Sequence, residues 1–156
     1  MRRRQTAALE PIMIIPSDSS ALIQSNIDMA GQHIFAIFPD ADNPGFAYTI
    51  GNARLGLPEL LIVGNFAPVL MGSVLNEVGR RMRQLDQVPD EDIDIGGAFP
   101  IRPRLAGAEV RSAFTIQVGR FLGHDEYAVV QLLLPDPMGF YPGEPGCDPR
   151  YDIPRP

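Results

Sequence analysis

The sequence predicts an α+β fold: a mainly antiparallel sheet of about five strands, two or three helices packed on it, and a Pro-rich C-terminal tail. Three observations predict it. Short apolar runs bounded by turn formers recur at 33–38, 46–51, 59–63 and 128–134, which are strand lengths rather than helix lengths. One longer stretch, 67–86, places Met71, Val74, Leu75, Val78, Met82 and Leu85 at the three- and four-residue spacing of a helix with one buried face. Of the 16 prolines, those at 135, 137, 142, 145, 149, 154 and 156 crowd the C-terminus, where they preclude regular structure. The chain therefore divides into an extended N-terminal lead-in (1–16), a single α+β domain (17–135) and an irregular Pro/Gly-rich tail (136–156).

The elements follow in order. Ser17-Asp18-Ser19-Ser20 offers side-chain oxygens to the unpaired amides of a first helical turn. Leu22, Ile23, Ile27 and Ala30 then share a face, and Gly31 is a natural stop, so a helix is expected over Ser20–Ala30. His33–Phe38 is apolar at every position after His33, as in a strand covered on both faces. The turn-rich segment from Pro39 to Gly45 returns the chain through 46–51 as the second arm of a hairpin, and Glu59–Val63 forms a third strand. Pro68 suits the first turn of the 67–86 helix, where amides lack partners anyway. Residues 93–105 read as an edge strand, because Gly96, Gly97, Pro100 and Pro103 interrupt them. Residues 111–122 fit a helix through Phe114, Val118, Phe121 and Leu122 and a strand through Phe114, Ile116 and Val118; helix is the reading taken. Ala128–Leu134 is a central strand.

Composition narrows the function classes. The net charge is −6 and every basic residue is Arg. A general nucleic-acid binder needs a basic face, so no nucleic acid is expected. The Arg80-Arg81-Arg83 run sits where cations complement a helix C-terminus. No apolar run approaches the roughly 20 residues of a membrane span, and Arg2-Arg3-Arg4 is not followed by the apolar stretch of a secretory leader; no membrane partner and a cytoplasmic location are expected. A single cysteine, Cys147, precludes an internal disulfide, and beside Asp148 its thiolate is disfavoured. His33 and His124 with Cys147 and Asp148 have the atoms to bind zinc but no zinc spacing, so no metal is expected. Asp86, Asp90, Glu91, Asp92 and Asp94 lack the order of a calcium loop and read as a solvated linker. Phosphate-loop, dinucleotide and nucleophile-elbow motifs are missing from the sequence, and no cofactor is expected.

Several motifs carry a resemblance: Gly31-Gln32-His33-Ile34, Phe46-Ala47-Tyr48-Thr49-Ile50-Gly51, Pro58-Glu59-Leu60, and Gln131 through Pro135-Asp136 to Gly139. In order and spacing, across roughly residues 22–148, the chain resembles the bacterial family known as domain of unknown function 4262. The resemblance implies no established activity. The chain departs from the family at Gln32 and at Gly143, where relatives often carry Trp; this chain has none.

The candidate ligand-binding residues are Tyr48, Thr49, Asn52, Glu59, Gln131 and Asp136. If the strand ends are neighbours, the first four bring together a phenol, a hydroxyl, an amide and a carboxylate, a set that can orient a polar ligand or move protons. Gln131 places an amide inside an apolar strand, and a buried amide needs partners. Asp136 and Gly139 are also ordinary turn formers. Three functional readings follow. The leading one is a non-enzymatic binding or accessory module. The second is a small-molecule enzyme or sensor with a polar site at the ends of strands 46–51 and 59–63, which requires the six side chains to converge on one cleft. The third is a flavin-binding barrel. The partners open to the chain are a protein, a small polar ligand, or a second copy of itself as a homodimer.

Overall fold

The computed structural model describes residues 17–151; the lead-in expected over 1–16 and the end of the tail, 152–156, lie outside the described residues. Its order is α1 (Ser17–Ala30), β1 (His33–Ile37), β2 (Phe46–Ile50), a short 3-10 helix (Asn52–Leu55), β3 (Glu59–Val63), α2 (Pro68–Leu85), β4 (Arg102–Leu105), α3 (Ala108–Phe114), α4 (Ile116–Leu122) and β5 (Val129–Leu133). The strands form one sheet in the order β1-β2-β3-β5-β4. Three neighbouring pairs are antiparallel, and β3–β5 is parallel. The parallel pair arises because α2, β4, α3 and α4 all lie between the two strands, a crossover long enough to bring the chain back in the same direction.

Each face of the sheet is covered. Ala47, Leu60, Ile62, Val130 and Leu132 meet the buried stripe Met71, Val74, Leu75, Val78 and Met82 of α2. On the other face Tyr48, Ile50, Leu61, Val63 and Val129 meet Ile23 of α1 and Val118 of α4. This double cover explains why the strands are apolar at nearly every position.

Three expectations are corrected. The segment read as one helix over 111–122 is two, so the described residues hold four α-helices rather than two or three. The break is at Thr115, whose backbone leaves helical geometry (φ −116°, ψ 37°) and whose hydroxyl donates to the Arg111 carbonyl at 2.6 Å. A hydroxyl bonding back to the preceding turn competes with the helix ladder. Of the strand expected over 93–105, only Arg102–Leu105 is regular, joined by a single Ile93–Ile101 bridge. Among the described residues the sheet is open, ending at β1 and β4, and so does not form the barrel that the flavin reading requires.

The tail, described through Tyr151, contains turns but no helix or strand, and it lies against the body. The buried Tyr141 hydroxyl donates to the Pro100 carbonyl at 2.6 Å, the Arg102 guanidinium lies over the Tyr141 ring, and Arg102 pairs with Glu144.

Candidate functional site

The polar cluster is built from a turn and two strand ends. After β2 the chain turns at Gly51, whose φ of 129° is open only to glycine. This geometry points three successive amides inward. The Glu59 carboxylate at the start of β3 accepts all three: Gly51 N–H at 2.9 Å, Asn52 N–H at 3.2 Å and Ala53 N–H at 2.9 Å. A fourth donor is the Thr49 hydroxyl at 2.8 Å. Thr49 Oγ1 also accepts the Leu60 N–H at 2.9 Å and Asn52 Nδ2 at 3.2 Å.

Asn52 extends the cluster outward. Its Nδ2 donates to Gln32 Oε1 at 2.9 Å, and its Oδ1 accepts from Arg83 Nη1 at 2.9 Å. The same Arg83 nitrogen donates to Gln32 Oε1 at 2.6 Å, and Gln32 Nε2 returns to α2 through the Leu75 carbonyl at 3.0 Å. Gly79 makes room for this, because a Cβ there would occupy the place of Gln32 Oε1. Thr49, Asn52 and Glu59 are fully buried (0% exposed), and Gln32 is buried. Burial pushes the Glu59 carboxyl above its ordinary value, while the amides of Ala53, Gly51 and Asn52 and the Thr49 hydroxyl pull it back. Burial lowers Arg83 below the usual arginine value, opposed by the charge of Glu59.

The six candidate residues therefore do not share one cleft. Thr49, Asn52 and Glu59 converge. Tyr48 points to the opposite face of the sheet, as strand alternation demands. There it stacks on Phe35 and Phe46, and its hydroxyl accepts the Gln117 N–H at 3.2 Å. Burial pushes that phenol far above its ordinary range, so it does not ionise near neutral pH. Gln131 lies opposite Leu61 and Arg104 on β5, two positions from Val129 and on the same face as Tyr48.

Asp136 is elsewhere, as the clasp of the tail. Its Oδ1 accepts the Met138 and Phe140 amides and its Oδ2 the Asp148 amide, each at 2.9 Å. The Asp148 amide, followed by those of Phe140 and Met138, holds this carboxyl below the ordinary value of 3.8. A depressed folded-state value contributes stability above the ordinary one and loses it as pH falls through the folded one. The tail is accordingly expected to loosen on acidification below about pH 4, with the Asp148 amide losing protection from hydrogen exchange before the amides of β3. Asp136→Ala should show the same loss at neutral pH.

Two members of the cluster, Gln32 and Arg83, are not among the candidates drawn from the sequence. Arg83 reads there as a helix-end cation, and its NH2 group does reach the Ala30 carbonyl at 3.4 Å, but its tighter bonds go to Gln32 and Asn52. The sequence signal for them is Gly79, the buried one of the two glycines of α2, lying one turn before Arg83. Among the described residues no group of three His, Cys, Asp or Glu could hold a metal ion. His33, whose pKa burial lowers, has Nδ1 2.9 Å from Asn26 Nδ2. No helix among the described residues is long and apolar enough to cross a membrane.

The family model of a domain of unknown function (DUF4262) matches residues 26–148. The chain belongs to this family. The matched span holds all five strands and the whole Glu59 cluster, and it ends at Asp148, whose amide closes the Asp136 clasp. Comparison with curated proteins and with solved structures returns no match.

Proposed function

We propose that this DUF4262 chain is a non-enzymatic binding module whose partner is a polypeptide. One observation carries the reading: the polar cluster is closed. Every side-chain oxygen of Glu59 and Thr49 is engaged by the chain's own donors, and neither residue is exposed. A general acid or base has to reach its substrate, and this carboxylate reaches only its own turn.

The surface that suits a partner lies between the C-terminal half of α2 and the loop after it, a groove of about 350 Å³. Its floor is Val78, Met82 and Ile93, and Leu85 and Val88 at its margin are 63% and 51% exposed. Asp90, Glu91 and Asp94 give the rim a negative charge. Apolar anchors beneath an acidic rim fit a basic, amphipathic segment. Selection from a displayed random-peptide library on the immobilised full chain tests this. Enriched peptides should pair Arg or Lys with aliphatic residues, and Val88→Asp should abolish their capture. Selection with no such bias, or capture insensitive to Val88→Asp, would remove the reading.

A small-molecule sensor is the competing reading. Its foothold is Arg83, only half-buried, which connects the cluster to the surface. Native mass spectrometry of gently purified protein separates the two: a retained small ligand, lost in Arg83→Ala, would favour the sensor.

A further inference from the structure

We propose that two copies of this chain join through the free edge of β1, making one sheet continuous across a two-fold axis. The proposal is independent of the groove and of its partner.

The ladder shows which backbone groups are free. Gly64 N–H donates to the Gly45 carbonyl and Leu60 N–H to Thr49 Oγ1, so even-numbered residues of β3 face β2. Odd-numbered residues of β2 therefore face β3, and Phe46, Tyr48 and Ile50 face β1. Their partners there are Ile37, Phe35 and His33. Ile34 and Ala36 are left with N–H and C=O groups pointing out of the sheet. Among the described residues no turn, loop or side chain bonds to them.

The two edges of the sheet differ. On β4 the outward positions alternate with Ala106, whose N–H goes inward to the Val129 carbonyl. They are Ile101, already paired with Ile93, Pro103, which has no N–H, and Leu105. That edge is closed to another strand. Edge β1 has no proline, bulge or charged residue over His33–Ile37.

The free groups are symmetric about Phe35, so a second copy can pair with them across a two-fold axis. A two-fold axis beside Phe35 sets Ile34 of one copy opposite Ala36 of the other, twice, and each pair exchanges two N–H···O bonds. The same axis brings the two half-buried Phe35 rings together, extending a row in which Phe35 already stacks on Tyr48 at 5.6 Å. On that face of the sheet α1 presents Leu22 and Met29, 58% and 83% exposed. They flank Asn26, which lies against His33 at the start of β1. Phe38, just past the strand, is 71% exposed. Leu22, Met29, Phe35 and Phe38 thus give the neighbourhood of this edge exposed or half-buried apolar side chains, interrupted by Asn26 and His33.

Sedimentation velocity on the full chain over about 1–100 µM tests the proposal, with Ala36→Pro as the variant. Proline at 36 removes an outward N–H and leaves the bonds to β2 intact. The expected result is a dimer for the natural chain and association weakened about 100-fold or more in the variant, which shifts toward monomer, from two lost bonds and a ring in the interface. Hydrogen exchange at Ile34 and Ala36 is read in parallel, so a variant that fails to fold does not decide the matter. These amides should gain protection with concentration. A monomer throughout the range would overturn the proposal, as would a dimer unaffected by Ala36→Pro. Concentration-independent protection would mean that residues 1–16 or another segment cover the edge, and would overturn it equally.

Discussion

Glu59→Gln is expected to lower the unfolding free energy by about 3 kcal/mol, or roughly 10 °C in Tm for a domain of this size. The reason is donor arithmetic. Oε1 accepts the Thr49 hydroxyl and the Asn52 amide, and Oε2 accepts the Gly51 and Ala53 amides. A glutamine supplies one acceptor and one NH2 group. Whichever way it lies, at least one backbone N–H faces another donor, and a buried donor without an acceptor costs about 1–3 kcal/mol. Urea unfolding should show a lower midpoint with an unchanged slope. The opposite sign would be informative. A side chain kept strained for catalysis commonly gives a more stable protein when replaced, so a Glu59→Gln chain as stable as the natural one would point to function rather than structure.

Thr49→Val is the second large effect, about 2–3 kcal/mol. The two side chains have nearly the same shape, so the change removes the hydroxyl without a cavity. Leu60 N–H loses its acceptor, Asn52 Nδ2 loses one of its two, and Glu59 loses one donor. Because Thr49 and Glu59 belong to one network, the two substitutions should not add. A double-mutant cycle is expected to give a coupling of about 1 kcal/mol or more. Additive losses would mean that the two side chains act separately.

Much of the architecture was readable from the sequence because apolar periodicity records burial directly. The strands at 33–37, 46–50 and 59–63 and helix α2 fall where the pattern places them, within a residue or so. The misreadings have local causes. The helix break at Thr115 depends on a hydroxyl choosing a carbonyl one turn back, and apolar spacing does not carry that choice. Tyr48 and Thr49 look like one site because they are adjacent, yet a strand sends neighbours to opposite faces, a rule that applies to the sequence alone. Thr49, Asn52 and Glu59 were legible as polar residues at the ends of apolar strands. Gln32 and Arg83 were not, since their hydrogen bond joins positions far apart in the chain and depends on a missing Cβ at Gly79. The Asp136 clasp has the composition of a turn, and only its bond to Asp148 shows that it fastens the tail.

Hydrogen exchange at the amides of Gly51, Asn52 and Ala53 tests most directly whether the polar cluster is closed. These residues lie in a turn, and turn amides bonded to solvent exchange fast. Held by a buried carboxylate, they should exchange only through near-global unfolding, as slowly as the amides of β3. Fast exchange at these three positions in the native protein, with β3 still protected, would show that the turn opens to solvent and would contradict the account.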